Sequence, residues 1–170
     1  MKKPICILLC LSLLSGFSLK LSAQSAEEEL DQLELMKQFI GTWRAETGED
    51  TVVNMTYEPI GDGILITQED IANGVTYGTV KAVMGVSTDK KTIIVSAVRQ
   101  NGSVVFHYGK FVSNNKLILE LYSNNVKHPV VIQEFEIQSS DTFTTRGKSR
   151  GEQMKWDAEW WDTTTFHKIK

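Results

Sequence analysis

From Thr42 to the end of the chain, apolar and polar residues alternate with period two, and clusters of turn-forming residues interrupt the alternation at short, even spacing. Extended strands point successive side chains to opposite faces, and many short strands at such spacing build an all-β sandwich or barrel. The expected strands cover residues 42–47, 52–59, 64–71, 75–87, 92–99, 103–112, 116–122, 130–137, 143–149, 155–162 and 165–169. They are separated by Gly61-Asp62-Gly63, Asn73-Gly74, Ser87-Thr88-Asp89-Lys90, Asn101-Gly102, Asn114-Asn115, Asn124-Asn125 and Ser139-Ser140-Asp141. Asn-Gly suits the two positive-φ positions of a type I′ turn, so consecutive strands are expected to pair with each other. About ten antiparallel strands in sequence order make a meander. A meander of that size closes into an up-and-down barrel, because closure removes exposed edges.

One helix precedes the strands. Ser25 followed by Glu28 is a capping-box pattern, and Leu30, Leu33, Met36 and Ile40 recur at helical spacing. Glu27, Glu28 and Glu29 complement the helix N-terminus, so residues 25–39 are expected to form a short amphipathic helix ended by Gly41. The acidic run reads as a solvated first turn rather than a metal site.

The first 23 residues have a different character. Lys2 and Lys3 precede an apolar stretch over 5–14, and small residues lead to Leu21-Ser22-Ala23, the pattern of a secretory signal. Cleavage is expected after Ala23, with Ser22 or Ala26 as alternative sites. The division is then a signal peptide over 1–23 and one barrel domain over 24–170. The apolar stretch is shorter than the roughly 20 residues needed to span a bilayer, so no membrane span is expected. The expected location is periplasmic or extracellular. Both cysteines, Cys6 and Cys10, lie in the segment to be removed, leaving no disulfide, thiol catalyst or cysteine-ligated metal in the domain. Three of the 18 basic residues and none of the 21 acidic ones fall in that segment, so the remainder is near −6. Nucleic acid would be repelled by this balance.

At the helix-to-strand junction the chain reads Phe39-Ile40-Gly41-Thr42-Trp43. A Gly-x-Trp on a first strand after a short helix resembles the start of lipocalins and related calycin barrels. The resemblance implies that Trp43 closes one end of the barrel beside Gly41, with a basic side chain of the last strand over its ring. Lys168, in Phe166-His167-Lys168, takes the place where Arg is usual, in a cation–π contact worth about 0.5–2 kcal/mol. Thr88-Asp89-Lys90 departs from the second lipocalin motif in position and in its Lys, and reads as a turn. The chain is most similar to short secreted bacterial lipocalin-like domains and more distantly to haem-binding nitrobindins. The resemblance implies a small apolar ligand and, in nitrobindin-like barrels, a late histidine on the haem iron.

The sequence holds no Gly-rich phosphate loop and no His-Glu-x-x-His. No enzymatic activity and no metal are expected. Glu134 with Glu136, and Asp157 with Glu159, share strand faces but read as solvated faces, with Arg146 and Lys148 neutralising the first pair across the sheet. His107, flanked by Phe106 and Tyr108, reads as structural or solvent-facing, and His128 as a loop residue. Haem is the alternative cofactor, with His167 or His107 as ligand.

The pocket expectation rests on aromatic residues. Met154, Trp156, Ala158 and Trp160 alternate with polar residues, so their face is expected to point inward. Trp156 and Trp160, with Val53, Met55, Tyr57, Ile64, Ile66, Phe106, Tyr108, Phe135 and Phe143, would line an interior that is either filled or open to one small ligand. Tyr57, Tyr108 and Arg146 are the expected polar contacts. The leading expectation is a non-enzymatic binding protein for a small hydrophobic or amphipathic molecule. A filled barrel docking on an envelope partner through exposed Trp161 is the other possibility, with that protein partner unidentified.

Overall fold

The computed structural model describes residues 29–123, 128–150 and 159–169. Ten strands run in sequence order around a closed antiparallel barrel: β1 Gly41–Gly48, β2 Thr51–Ile60, β3 Gly63–Ala72, β4 Val75–Val86, β5 Ile93–Arg99, β6 Val104–Ser113, β7 Lys116–Ser123, β8 Val131–Ser139, β9 Thr142–Ser149 and β10 Thr164–Ile169. The meander and its closure match the expectation. Asn73 and Gly74 both take positive φ, 50° and 74°, as the hairpin between β3 and β4 requires. The closing seam is short: β1 and β10 are joined through Thr42 with Ile169, Trp43 with Lys168 and Arg44 with His167.

Two expectations are corrected. Residues 29–31 are not helical; the helix α1 spans only Gln32–Met36 and continues as a 3₁₀ turn over Lys37–Phe39. Its cap is Asp31, whose carboxylate accepts from the amides of Leu33 and Glu34 at 3.1 Å. The pair Ser25 and Glu28, like the signal segment, lies outside the described residues. The strand expected over 155–162 is the second correction, because its described part, 159–162, carries no strand. β10 pairs with β9 from Thr164 opposite Thr145 to His167 opposite Thr142, and the segment before it meets β9 through the Trp161 amide, which donates to the Gly147 carbonyl at 2.6 Å.

The helix plugs one end of the barrel. Met36 and Phe39 are fully buried, and Phe39 packs on Tyr57 at 5.5 Å and edge-on to Phe143 at 5.4 Å between ring centroids. Trp43 and Phe166 each lie 4.8 Å from Phe143, completing an aromatic floor. A bulge in β6 between Phe111 and Ser113 meets the helix, and buried Gln32 satisfies the freed backbone there. Its Oε1 accepts from the Phe111 amide at 2.6 Å, and its Nε2 donates to the Phe111 carbonyl at 3.3 Å.

The barrel-closing trio stands as expected. Trp43 is 1% exposed, its indole N–H donates to the Phe39 carbonyl at 2.6 Å, and Lys168 Nζ lies 5.0 Å from its ring centroid. Gly41 has φ of 133°, and a Cβ there would collide with Lys168 Cε, so glycine is needed for both backbone and space. No described helix is long and apolar enough to cross a membrane.

Candidate functional site

Above the aromatic floor the barrel is open inside. A cavity of about 670 Å³ runs from Phe39, Tyr57 and Phe166 toward the hairpins at the opposite end. Alternation explains its walls. Val53, Met55 and Tyr57 of β2, Val95 and Ala97 of β5, and Leu117, Leu119 and Leu121 of β7 all point inward. Ile66 and Phe135 join them, so five of the residues expected to line the interior do so: Val53, Met55, Tyr57, Ile66 and Phe135. Ile64 and Phe143 are buried in the core instead. Burial drives the Tyr57 pKa well above the ordinary phenol value, so its hydroxyl is a neutral group on the floor, 3.7 Å from the Met55 sulfur.

Toward the mouth the lining becomes polar, with Gln68, Asp70, Arg99, His107, Gln133 and Thr164. Gln68, Asp70, Arg99, Gln133 and Thr164 continue the inward phase of their strands one or two steps beyond the apolar residues, whereas His107 lies between Val105 and Phe111 on the inward phase of β6. Gln68 Nε2 donates to Asp70 Oδ1 at 2.8 Å. His107 stands between Val95 of β5 and Leu121 of β7. Lost hydration in this apolar setting, reinforced by the positive charge of Arg99, lowers its pKa from 6.5 to about 4. The imidazole is therefore neutral at pH 7, and its Nδ1 is buried without a hydrogen-bond partner among the described residues.

This placement corrects the reading of His107 as structural or solvent-facing. It also reverses its neighbours: Phe106 and Tyr108 point outward, 36% and 39% exposed, and do not line the cavity. Tyr108 packs edge-on against Tyr122 on the outer surface at 5.5 Å. Every position from Val104 to Tyr108 is bulky enough to be buried, so alternation had no phase there until β5 and β7 set it.

Arg146 and Trp160 are likewise corrected. Arg146 faces outward, donating twice to Glu134 Oε2 at 2.9 and 2.7 Å, with Lys116 Nζ 3.1 Å from the same oxygen. Partial burial works to raise the Glu134 pKa, but the hydrogen bonds from Arg146 and Lys116 outweigh it and hold it below the usual carboxylate value. The neutralisation of that carboxylate across the sheet is as expected. Trp160 lies over the same outer face, its ring centroid 4.6 Å from Arg146 Cζ and 4.7 Å from Lys148 Nζ. Trp161, expected to be exposed, is 48% exposed, and it packs against Gly147, where a Cβ would meet its ring at 2.7 Å. Trp156 lies outside the described residues.

His167 is exposed on the outer face, beside Thr142 Oγ1 at 3.5 Å. Haem held in the cavity from the last strand therefore does not fit these residues. His107 is the imidazole that faces the interior. Among the described residues no group of three or more His, Cys, Asp and Glu is arranged to hold a metal ion.

Sequence reasoning missed Gln68, Asp70, Arg99 and Gln133. Their inward phase followed from Ile64, Ile66, Val95, Ala97 and Phe135 on the same strands, but polar residues at strand ends read as solvated.

Neither a protein-family model nor a curated protein sequence matches the chain. Thirteen chains of solved structures match the fold. Among them is Rv2717c from M. tuberculosis, similar with a TM-score of 0.61 and 12% sequence identity, over 83% of this chain and 99% of that one. At that identity the likeness is one of fold, a closed ten-stranded antiparallel barrel.

Proposed function

We propose that this protein is an exported, non-catalytic binding protein for a small amphipathic molecule, held with its apolar body on the barrel floor. The cavity carries the reading. Its volume of about 670 Å³ falls within the range of small-molecule sites, roughly 300–1,000 Å³, and its apolar walls give way to a polar mouth in the order such a ligand requires. Burying apolar ligand surface contributes roughly 25 cal/mol per Å², from which the cost of immobilising the ligand is subtracted. Polar groups at the mouth fix its direction.

The test is native mass spectrometry of the mature protein purified gently from its own host, with a visible absorption spectrum of the same sample. A bound mass of a few hundred daltons without a Soret band is the expected result. Ala97, 5% exposed on the cavity wall, gives the control: Ala97→Phe should expel the ligand, whereas Phe106→Ala and Tyr108→Ala should retain it. A Soret band abolished by His107→Ala would replace this reading with haem binding. A bare polypeptide that also takes up no apolar fluorescent probe would overturn it.

A further inference from the structure

The ionisable groups of the cavity narrow the chemistry of the ligand. Among the described residues four line it: Tyr57, Asp70, Arg99 and His107. Tyr57 lies on the floor and is neutral, and His107 is a neutral imidazole part-way up the wall. Asp70 is laid along the wall rather than across the opening. Its Oδ2 occupies the space over Gly78, 2.8 Å from where a Cβ would stand, and its Oδ1 takes the amide of Gln68 at 2.8 Å. The side-chain-free Gly78 is what lets the carboxylate fold down there.

Arg99 is different. It ends β5 opposite Val80 of β4, is exposed at the rim, and makes no salt bridge or side-chain hydrogen bond among the described residues. Asp70 is two strands away around the barrel and forms no ion pair with it. A guanidinium presents five donors in a fixed fork that matches a carboxylate or phosphate. Because Arg99 is already hydrated and unpaired, a ligand anion meets it without breaking an internal bond. Resting on the carrier reading, we propose that Arg99 is the head-group contact for an anionic amphiphile, whose acid sits at the mouth and whose apolar chain runs down to Tyr57 and Phe166.

The experiment compares three probes on the mature protein: 11-(dansylamino)undecanoic acid, its methyl ester, and a dansyl-labelled alkyl phosphate of equal chain length. The acid should bind about tenfold or more tightly than the ester, the range for hydrogen bonds to a charged group. Arg99→Gln should bring acid and ester to the same affinity while changing the ester less than about twofold, which also certifies the fold of the variant. Whichever of the carboxylate and the phosphate binds more tightly to wild type, and loses more in Arg99→Gln, names the head group. Equal binding of acid and ester to wild type, or an equal loss of both in Arg99→Gln, would overturn the assignment of Arg99 and leave the carrier reading standing. Failure of all three probes to bind would overturn the carrier reading itself.

Discussion

Protonating His107 should be the step that couples stability to mildly acidic pH. The imidazole titrates near 6.5 in the unfolded chain and at about 4 in the barrel, where Val95 and Leu121 flank it and Arg99 repels its cationic form. Between these values the unfolded chain binds the additional proton, so stability is full above about pH 6.5 and declines as the pH falls toward 4. A span of about 2.5 pH units at about 1.36 kcal/mol each gives a loss of roughly 3 kcal/mol by pH 4. Urea unfolding of wild type and His107→Gln, at half-unit steps from pH 7.5 to 4.5, measures it. The difference in unfolding free energy between the two proteins should shrink by roughly 2–3 kcal/mol over that range. Contributions that the two proteins share cancel in the difference. Asp89 and Asp141, whose pKa values are lowered first by hydrogen bonds from Ser87 and Ser139, act further toward acid. Parallel curves for the two proteins would refute the burial of a neutral His107.

Two further predictions concern the plugged end. Trp43→Ala should cost about 3–5 kcal/mol in urea unfolding, since the substitution empties a site 1% exposed and removes the support of the Lys168 stem; an unchanged midpoint would contradict the closing role. Gln32→Leu should cost about 1–3 kcal/mol, because it leaves the Phe111 amide unpaired inside the bulge. Hydrogen exchange at that amide should accelerate, and unchanged protection would show that another group replaces Gln32.

By itself, the sequence determined the meander, the positions of most turns, and the inward phase of strands whose two faces differ in polarity. Val53, Met55 and Tyr57 alternate with Asn54 and Thr56, and a single-residue slip would have put three large apolar groups in water. Gly41, Trp43 and Lys168 were legible through the resemblance of Gly-x-Trp to the start of lipocalin barrels, and the pairing of β1 with β10 brings the cation over the indole. Tertiary structure alone decided the rest. Val104 to Tyr108 is bulky on both faces, so only the register with β5 and β7 turned His107 inward and Phe106 outward. Residues 159–162 alternate like a strand, yet β10 took the edge of β9 and closed the ring, placing Trp160 over Arg146 on the outer face. Arg99 lay within an expected strand and drew no notice as a polar residue at its end. Its role as a cavity group exists only because ten strands close around unfilled space, and that space depends on how the inward side chains of every strand share one volume.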